Sequence, residues 1–345
     1  MRRAWVIAAK DLRLLVRDPM ALFWAVGFPV LFALFIGSVL SLSLGLDRAR
    51  VRVGFVDEAH DESSRLVRAR LAADPKLELS EGTLDAARTA VRRGELAAAV
   101  RTSGGAVELW VDPSRSTETR LVEAALGAAF VPPQEIPVRS VIRSADAPSA
   151  FALVFPAAIA WGLMGCAATF AVSLVAERTG GTLIRVRAAP LSGSTLVAGK
   201  ALACALACFF DAALLLAVAR VGFGVKIAQP LSVGLAIGAL TLCFVGLTLL
   251  LSTLGKSEQA VSGAGWATLL FLAMIGGAMV PVSLMPGWMQ GLSVISPVRW
   301  GVLALEGALW RGFGPRELLP SLAVLVAVGC AAGALGHAVL RRRAA

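Results

Sequence analysis

The chain has 345 residues, 57% of them apolar and only 16% charged, with a mean hydropathy of +0.76. A soluble protein carries about 25% charge, so an excess of this size implies several bilayer spans; the same numbers exclude disorder, and five cysteines in 345 residues make no disulfide scaffold. The net charge of +10 resembles a nucleic-acid-binding signature until it is placed: residues 47–148 hold 15 Lys and Arg against 16 Asp and Glu, and the remainder 18 against 7. The basic excess belongs to the apolar part of the chain, where it marks membrane orientation, and no nucleic-acid partner is expected.

Residues 2–18 place Arg3, Lys10, Arg13 and Arg17 on one helical face and Trp5, Ala8, Leu12 and Leu15 on another. Such a basic amphipathic helix lies in the membrane interface. It reads equally as a plain positive-inside anchor or as an elbow helix that also touches a cytoplasmic partner. Pro19 ends it, and Met20–Leu44 follows as the first run of the roughly 20 apolar residues a span needs. That run is too long, and too closely preceded by a basic segment, for a cleavable signal peptide. Phe151–Ala176, Leu196–Ala219, Leu231–Leu254, Ala260–Val280 and Leu318–Leu340 make six spans in all. With the N-terminus inside, the cytoplasmic loops and ends collect 13 positive residues, against five on the other side outside 47–148. Both termini are then cytoplasmic and residues 47–148 extracytoplasmic.

The 47–148 region reads as a small α/β domain. Val51, Val53 and Phe55 alternate as in a half-buried strand. Thr83 precedes the apolar stripe of Leu84, Ala87 and Val91, a helix start. Leu96–Arg101 and Val107–Val111 flank Thr102-Ser103-Gly104-Gly105, a hairpin signal. Val122, Leu126 and Ala129 form a further helix face, and Pro132, Pro133 and Pro137 mark the return to the membrane. The expected order is strand, helix, strand, helix, hairpin, helix.

Catalytic signatures are missing. No G-x-x-x-x-G-K-[ST] loop is present to cradle ATP, and neither H-E-x-x-H nor G-x-S-x-G occurs. His60 lies among Asp57, Glu58, Asp61 and Glu62, a cluster read here as a solvated loop rather than a cation site, and His337 is an interfacial residue of the last span. Cys166, Cys204, Cys208, Cys243 and Cys330 all fall in apolar stretches and are read as packing residues.

Four features outlast that exclusion. The loop after the second span, residues 176–195, runs to about twenty residues where four or five would connect two spans. It carries Glu177, Arg178, Gly180, Gly181, Thr182, Arg185 and Arg187 before a stop at Pro190. Asp211 lies within the third span, where a carboxylate is costly and normally faces a bundle interior or cavity; pairing with a basic residue (Arg220 follows about two turns on), snorkelling, and lining a substrate path are all open. Glu306, between Arg299 and Arg311, reads as an ion-pair partner or a substrate contact. The segment Pro281–Gly314, with Trp288, Trp300 and Trp310, reads both as an interfacial belt and as a re-entrant hairpin, since non-helical backbone at membrane depth must be buried in protein or line water.

Lys10-Asp11-Leu12 and Arg17-Asp18-Pro19 before the first span resemble the opening of ABC-2 type transporter permeases. So do Glu177-Arg178 with Gly181-Thr182-Leu183, then Ala189-Pro190-Leu191-Ser192 and Gly199-Lys200. Pro281, Met285-Pro286-Gly287-Trp288-Met289, Ile295-Ser296-Pro297 and Gly307-Ala308-Leu309-Trp310-Arg311-Gly312 resemble that family's outer segment before its last span. Val56-Asp57-Glu58 and Val111-Asp112-Pro113-Ser114 resemble the extracytoplasmic domain of its large-ectodomain branch, although this one is short and rich in Arg and Ala.

The resemblance implies a six-span, α-helical permease subunit of an exporter in the bacterial inner membrane. Residues 1–19 would be the elbow helix (Lys10, Arg13, Arg17), 20–46 the first transmembrane helix, and 47–148 the extracytoplasmic α/β domain. Residues 149–345 would hold five further spans with the re-entrant segment at 281–315. Glu177, Arg178, Gly180, Gly181, Thr182, Arg185 and Arg187 would form the coupling loop, and Asp211 and Glu306 are candidates for the translocation path. The chain would bind no cofactor and catalyse nothing itself; ATP and Mg would be bound by a separate cassette ATPase subunit, and a second permease copy and membrane lipid complete the expected partners. The competing reading is a membrane sensor or assembly scaffold with a ligand- or protein-binding ectodomain.

Overall fold

The computed structural model describes residues 2–43, 51–103, 106–112, 115–127, 138–140, 149–179, 193–227, 229–282 and 285–342. The first helix, α1, spans Arg2–Arg17 and has no interior proline or glycine to interrupt it. Asp18 stops it by starting the next helix: its carboxylate accepts from the amides of Met20 and Ala21, and Pro19 takes the first helical position. This is an N-cap with proline where its missing N–H costs nothing.

Among the described residues, six helices are long and apolar enough to cross a membrane: Pro19–Val39, Ala150–Glu177, Thr195–Phe223, Pro230–Leu251, Glu258–Gly276 and Pro315–Arg342. Each overlaps one of the six expected runs. The second span is the most enclosed of them, and Phe155, Ile159, Leu163 and Met164 along it are fully buried. The fourth and sixth spans cross through glycine. A Cβ on Gly246 would strike the carbonyl of Gly329, and one on Gly336 would meet the Leu249 carbonyl carbon at 2.6 Å. Small residues let helix backbones approach where no hydrophobic driving force separates helix from lipid. Among the described residues, π-helical turns interrupt the pattern at Phe23–Gly27 in the first span and at Gly307–Arg311 after the fifth, and no feature of the sequence indicates either.

The expected α/β unit lies between the first two spans. Its elements are β1 (Val51–Asp57), α2 (Glu62–Ala73), β2 (Leu77–Glu81), α3 (Leu84–Arg92), β3 (Ala98–Ser103), β4 (Ala106–Val111), α4 (Ser116–Gly127) and a short β5 (Val138–Ser140). The sheet order is β2-β1-β3-β4-β5, antiparallel only at the β3–β4 hairpin. One face packs Val53, Phe55, Val100 and Leu109 against Val67 and Leu71 of α2 and Val122 and Leu126 of α4. The other packs Val56, Ala99 and Trp110 against Ala87 and Val91 of α3. The parallel β4–β5 pairing follows the proline-rich return segment and was not expected, because three residues carry too little alternation to read.

Between the fifth and sixth spans, α5 (Gly287–Ser293) and α6 (Pro297–Glu306, continued by the π-turn to Arg311) meet at 93°. Ser296 caps α6 through the Val298 amide, with Pro297 behind it. The bend is the geometry of a broken span or a re-entrant hairpin.

Candidate functional site

Two ion clusters and a cavity lie where separate parts of the chain meet. The first cluster ties α1 to the ends of two spans. A Cβ on Gly199 would meet Cβ of Ile7 at 2.8 Å and the Ala4 carbonyl at 3.1 Å, so α1 lies directly on the start of the third span. There Lys200 donates to Asp11 at 3.0 Å and to Ser173 at 2.8 Å, and pairs with Glu177 at 3.2 Å. Lys10 closes the group on Glu177 and, at 3.1 Å, on Asp11. Burial alone would lower the pKa of Lys10; its bonds to Glu177 and Asp11 outweigh that and hold it above its ordinary value. Two lysines and two carboxylates thus neutralise one another where α1, the second span and the third span converge. Arg13 and Arg17 of the same helix stay exposed.

Glu177 is therefore turned into the chain, at the foot of the second span. Arg178 continues the same helix by its backbone; Gly180, Gly181, Thr182, Arg185 and Arg187 lie outside the described residues. Asp11 and Lys200 were legible only as parts of two separate motifs. Their pairing, 189 residues apart in sequence, left no local trace.

The second cluster joins the α/β domain to the bent helix pair, with Arg311 at its centre. Its Nε donates to Glu306 at 3.0 Å, and one terminal nitrogen donates to Asp112 at 2.9 Å and to the Arg92 carbonyl at 3.0 Å. The guanidinium also lies 4.2 Å from the Trp310 ring. Gly94 (φ +71°) permits this approach, since a Cβ there would come within 2.7 Å of the guanidinium. Arg92 pairs in turn with Glu317 at the start of the sixth span. Glu306 is an ion-pair partner, as one of its two readings had it, but of Arg311; Arg299 turns to Ser293, the Gln290 carbonyl (2.9 Å) and Glu95 (3.5 Å).

Between the α/β domain and the bundle lies a cavity of about 880 Å³. Its apolar wall includes Phe32 and Ile36 of the first span and Leu153 and Val154 of the second. Its polar wall comes from the α/β domain and the bent pair, and Glu306 is part of it. Volumes of several hundred Å³ with an apolar lining and a few polar groups are typical of small-molecule sites.

Asp211 is elsewhere. It is 1% exposed on the third span, and a Cβ on Gly162 of the second span would collide with its carboxylate. Neither oxygen has a hydrogen-bond partner among the described residues, and no ion pair joins it to the exposed Arg220. His60 sits in a left-handed conformation (φ 52°) with its amide donating to Asp57 at 2.8 Å, and no cluster of metal-ligating side chains occurs among the described residues.

Six apolar helices with an α/β insertion define a polytopic membrane protein. Residues 20–337 match the family described as ABC-2 family transporter protein, and the chain belongs to that family. It is similar to the probable multidrug ABC transporter permease YbhR of Escherichia coli strain K12, with 26% identity over 175 residues. The same figures hold for the protein of that name in Escherichia coli O157:H7. The match covers 50% of this chain and 47% of those relatives, so it spans about half of their length. The protein is thus a multi-pass membrane protein of the ABC-2 transporter family.

Proposed function

We propose that the chain is the permease half of an ATP-driven exporter in the bacterial inner membrane. Its termini are cytoplasmic, its α/β domain is extracytoplasmic, and ATP is hydrolysed by a separate cassette subunit. Family membership supports the transport role, and the 13-to-5 distribution of positive charge supports the orientation. A second permease copy completes the transporter. Multidrug export, named for the YbhR relatives, extends to this chain only as a proposal about substrate.

The observation that carries the mechanism is the buried Asp11–Lys200 pair with Glu177 beside it, closed on its outer side by the exposed Lys10. Coupling needs a stiff element between an ATPase and the spans. Residues 180–192 leave the second span three residues after Glu177, and that residue is held to α1 and the third span by ion pairs. A push on the loop is therefore delivered to three helices together. In this account Glu177 anchors the loop from inside, while Arg178, Arg185 and Arg187 meet the ATPase. Truncating one charge of a desolvated interface pair costs about 2–5 kcal/mol.

The test is copurification with a co-expressed cassette ATPase. Arg178→Ala and Gly181→Pro should weaken the complex, Gly181→Pro more so, while the protein stays folded in the membrane; His60→Ala should leave it intact. Undiminished copurification by both loop variants would remove the coupling assignment. No observation favours the sensor or scaffold alternative.

A further inference from the structure

The cavity between the α/β domain and the bundle has an uneven balance of charge. Of its arginines, Arg311 is committed to Glu306 and Asp112, and Arg115 to Glu118 at 2.5 Å and the Gly94 carbonyl at 3.4 Å. Three remain: Arg52, Arg93 and Arg299. Against them in the lining stands one carboxylate, Glu95, which among the described residues pairs with Arg299, at 3.5 Å. Arg52 donates to the neutral amide oxygen of Gln290 at 3.0 Å, and neither Arg52 nor Arg93 has an ion-pair partner among the described residues. The polar wall therefore carries an excess of two positive charges. The first two spans add an apolar lining of Phe32, Ile36, Leu153 and Val154.

We propose that this cavity binds a single-chain amphiphile with an anionic head group, the head on Arg52, Arg93 and Arg299 and the chain along Phe32, Ile36 and Leu153. A guanidinium fork grips a carboxylate or phosphate with two parallel hydrogen bonds. An acyl chain gains free energy in proportion to the apolar area it removes from water. A cation meets three arginines, and a neutral chain leaves them without a counter-charge, so the site discriminates by sign. A head group alone, such as inorganic phosphate, lacks the chain's contribution. The inference deepens the transport reading by naming a substrate class, and rests on that reading for the export step; binding itself requires no ATPase.

The test uses the full chain in phosphatidylcholine nanodiscs without an ATPase, probed with a C16 fatty acid carrying a photoreactive diazirine in its chain. Labelled peptides are identified by mass spectrometry. Label is expected around Phe32–Ile36 and Leu153–Ala157, competed by palmitate and by lyso-phosphatidylglycerol but not by inorganic phosphate or hexadecyltrimethylammonium. Arg52→Gln with Arg93→Gln breaks no ion pair, and should lower the apparent affinity at least about tenfold, since hydrogen bonds to charged groups are the strong class. Arg88→Gln, which removes a guanidinium stacked on Trp110 outside the cavity lining, should leave it unchanged. Equal labelling by the corresponding diazirine amine, or unchanged affinity in the folded double variant, would overturn the proposal and leave the transport reading intact. Binding as expected, with no ATP-dependent movement of the probe after an ATPase is added, would count against transport of this class.

Discussion

Asp11 and Lys200 meet at 3.0 Å with each side chain only 1% exposed, one on the amphipathic first helix and the other at the start of the third span. Two charges withdrawn this far from water need each other, and loss of Lys200 leaves the Asp11 and Glu177 carboxylates to share the half-exposed Lys10. Lys200→Met should therefore destabilise the protein by about 3–5 kcal/mol. Asp11→Leu combined with Lys200→Met should recover most of that loss, leaving Lys10 to neutralise Glu177. Thermal unfolding of the detergent-solubilised protein measures both; a double variant as unstable as Lys200→Met alone would show that the pair is not the source of the effect.

The Arg311 cluster makes a second prediction. Asp112, Glu306 and the Arg92 carbonyl all converge on one guanidinium, so Arg311→Ala leaves two carboxylates without their shared counter-charge. The α/β domain keeps its own two-sided core and should stay folded, but its attachment to the bundle should loosen. Spin labels at Arg120 and Leu319, both exposed, should give a narrow distance distribution in the parent protein and a broad one in the variant. An unchanged distribution would place the attachment elsewhere.

Gly162 and Asp211 test the packing of the second and third spans. Gly162→Ala sets a methyl against the Asp211 carboxylate, an overpacking cost of about 1–3 kcal/mol. Asp211→Ala removes the obstacle and a buried group whose oxygens have no hydrogen-bond partner among the described residues, so alone it should cost little. The double variant should be more stable than Gly162→Ala. Simple additivity of the two changes, read from unfolding midpoints, would show that the two positions do not touch.

The account also fixes the sign of one pH effect. Burial raises the pKa of Glu118 in α4, against the opposing influence of Arg115. A carboxylate raised in the folded state contributes its full stability below the unfolded-state value and loses it as pH rises through the folded-state value. Glu118→Gln should therefore gain stability over the parent on moving from pH 4.5 to pH 7, as measured by thermal unfolding. A relative loss over the same interval would mean that the Arg115 pairing dominates instead.

What the sequence disclosed divides by range. The six spans, the order from β1 to α4 and the proline after Asp18 each rest on local hydropathy, period or capping chemistry, and each was legible; the position of the bend at Ser296 within 281–314 was not. The two ion clusters and the Arg299–Glu95 pair were not legible either. Asp11–Lys200, Arg311–Asp112 and Arg299–Glu95 join residues 189, 199 and 204 positions apart, and one sequence carries no signal for such pairings. Glu177 was readable as a polar residue of a long loop, but the direction of its carboxylate depends on where α1 packs. Asp211 was readable as buried, while the glycine opposite it, which makes room for the carboxylate, sits in a different span.

The central claim is that ATP hydrolysed by a partner subunit moves a substrate through this chain. It is tested most directly in inside-out membrane vesicles containing the chain and its cassette ATPase, with the diazirine fatty acid or a fluorescent drug as cargo. The account predicts ATP-dependent accumulation inside the vesicles, lost when the ATPase lacks its catalytic glutamate and reduced in Gly181→Pro, with His60→Ala unaffected. Accumulation that is the same with and without ATP, for every cargo tried and with a demonstrably assembled complex, would contradict it.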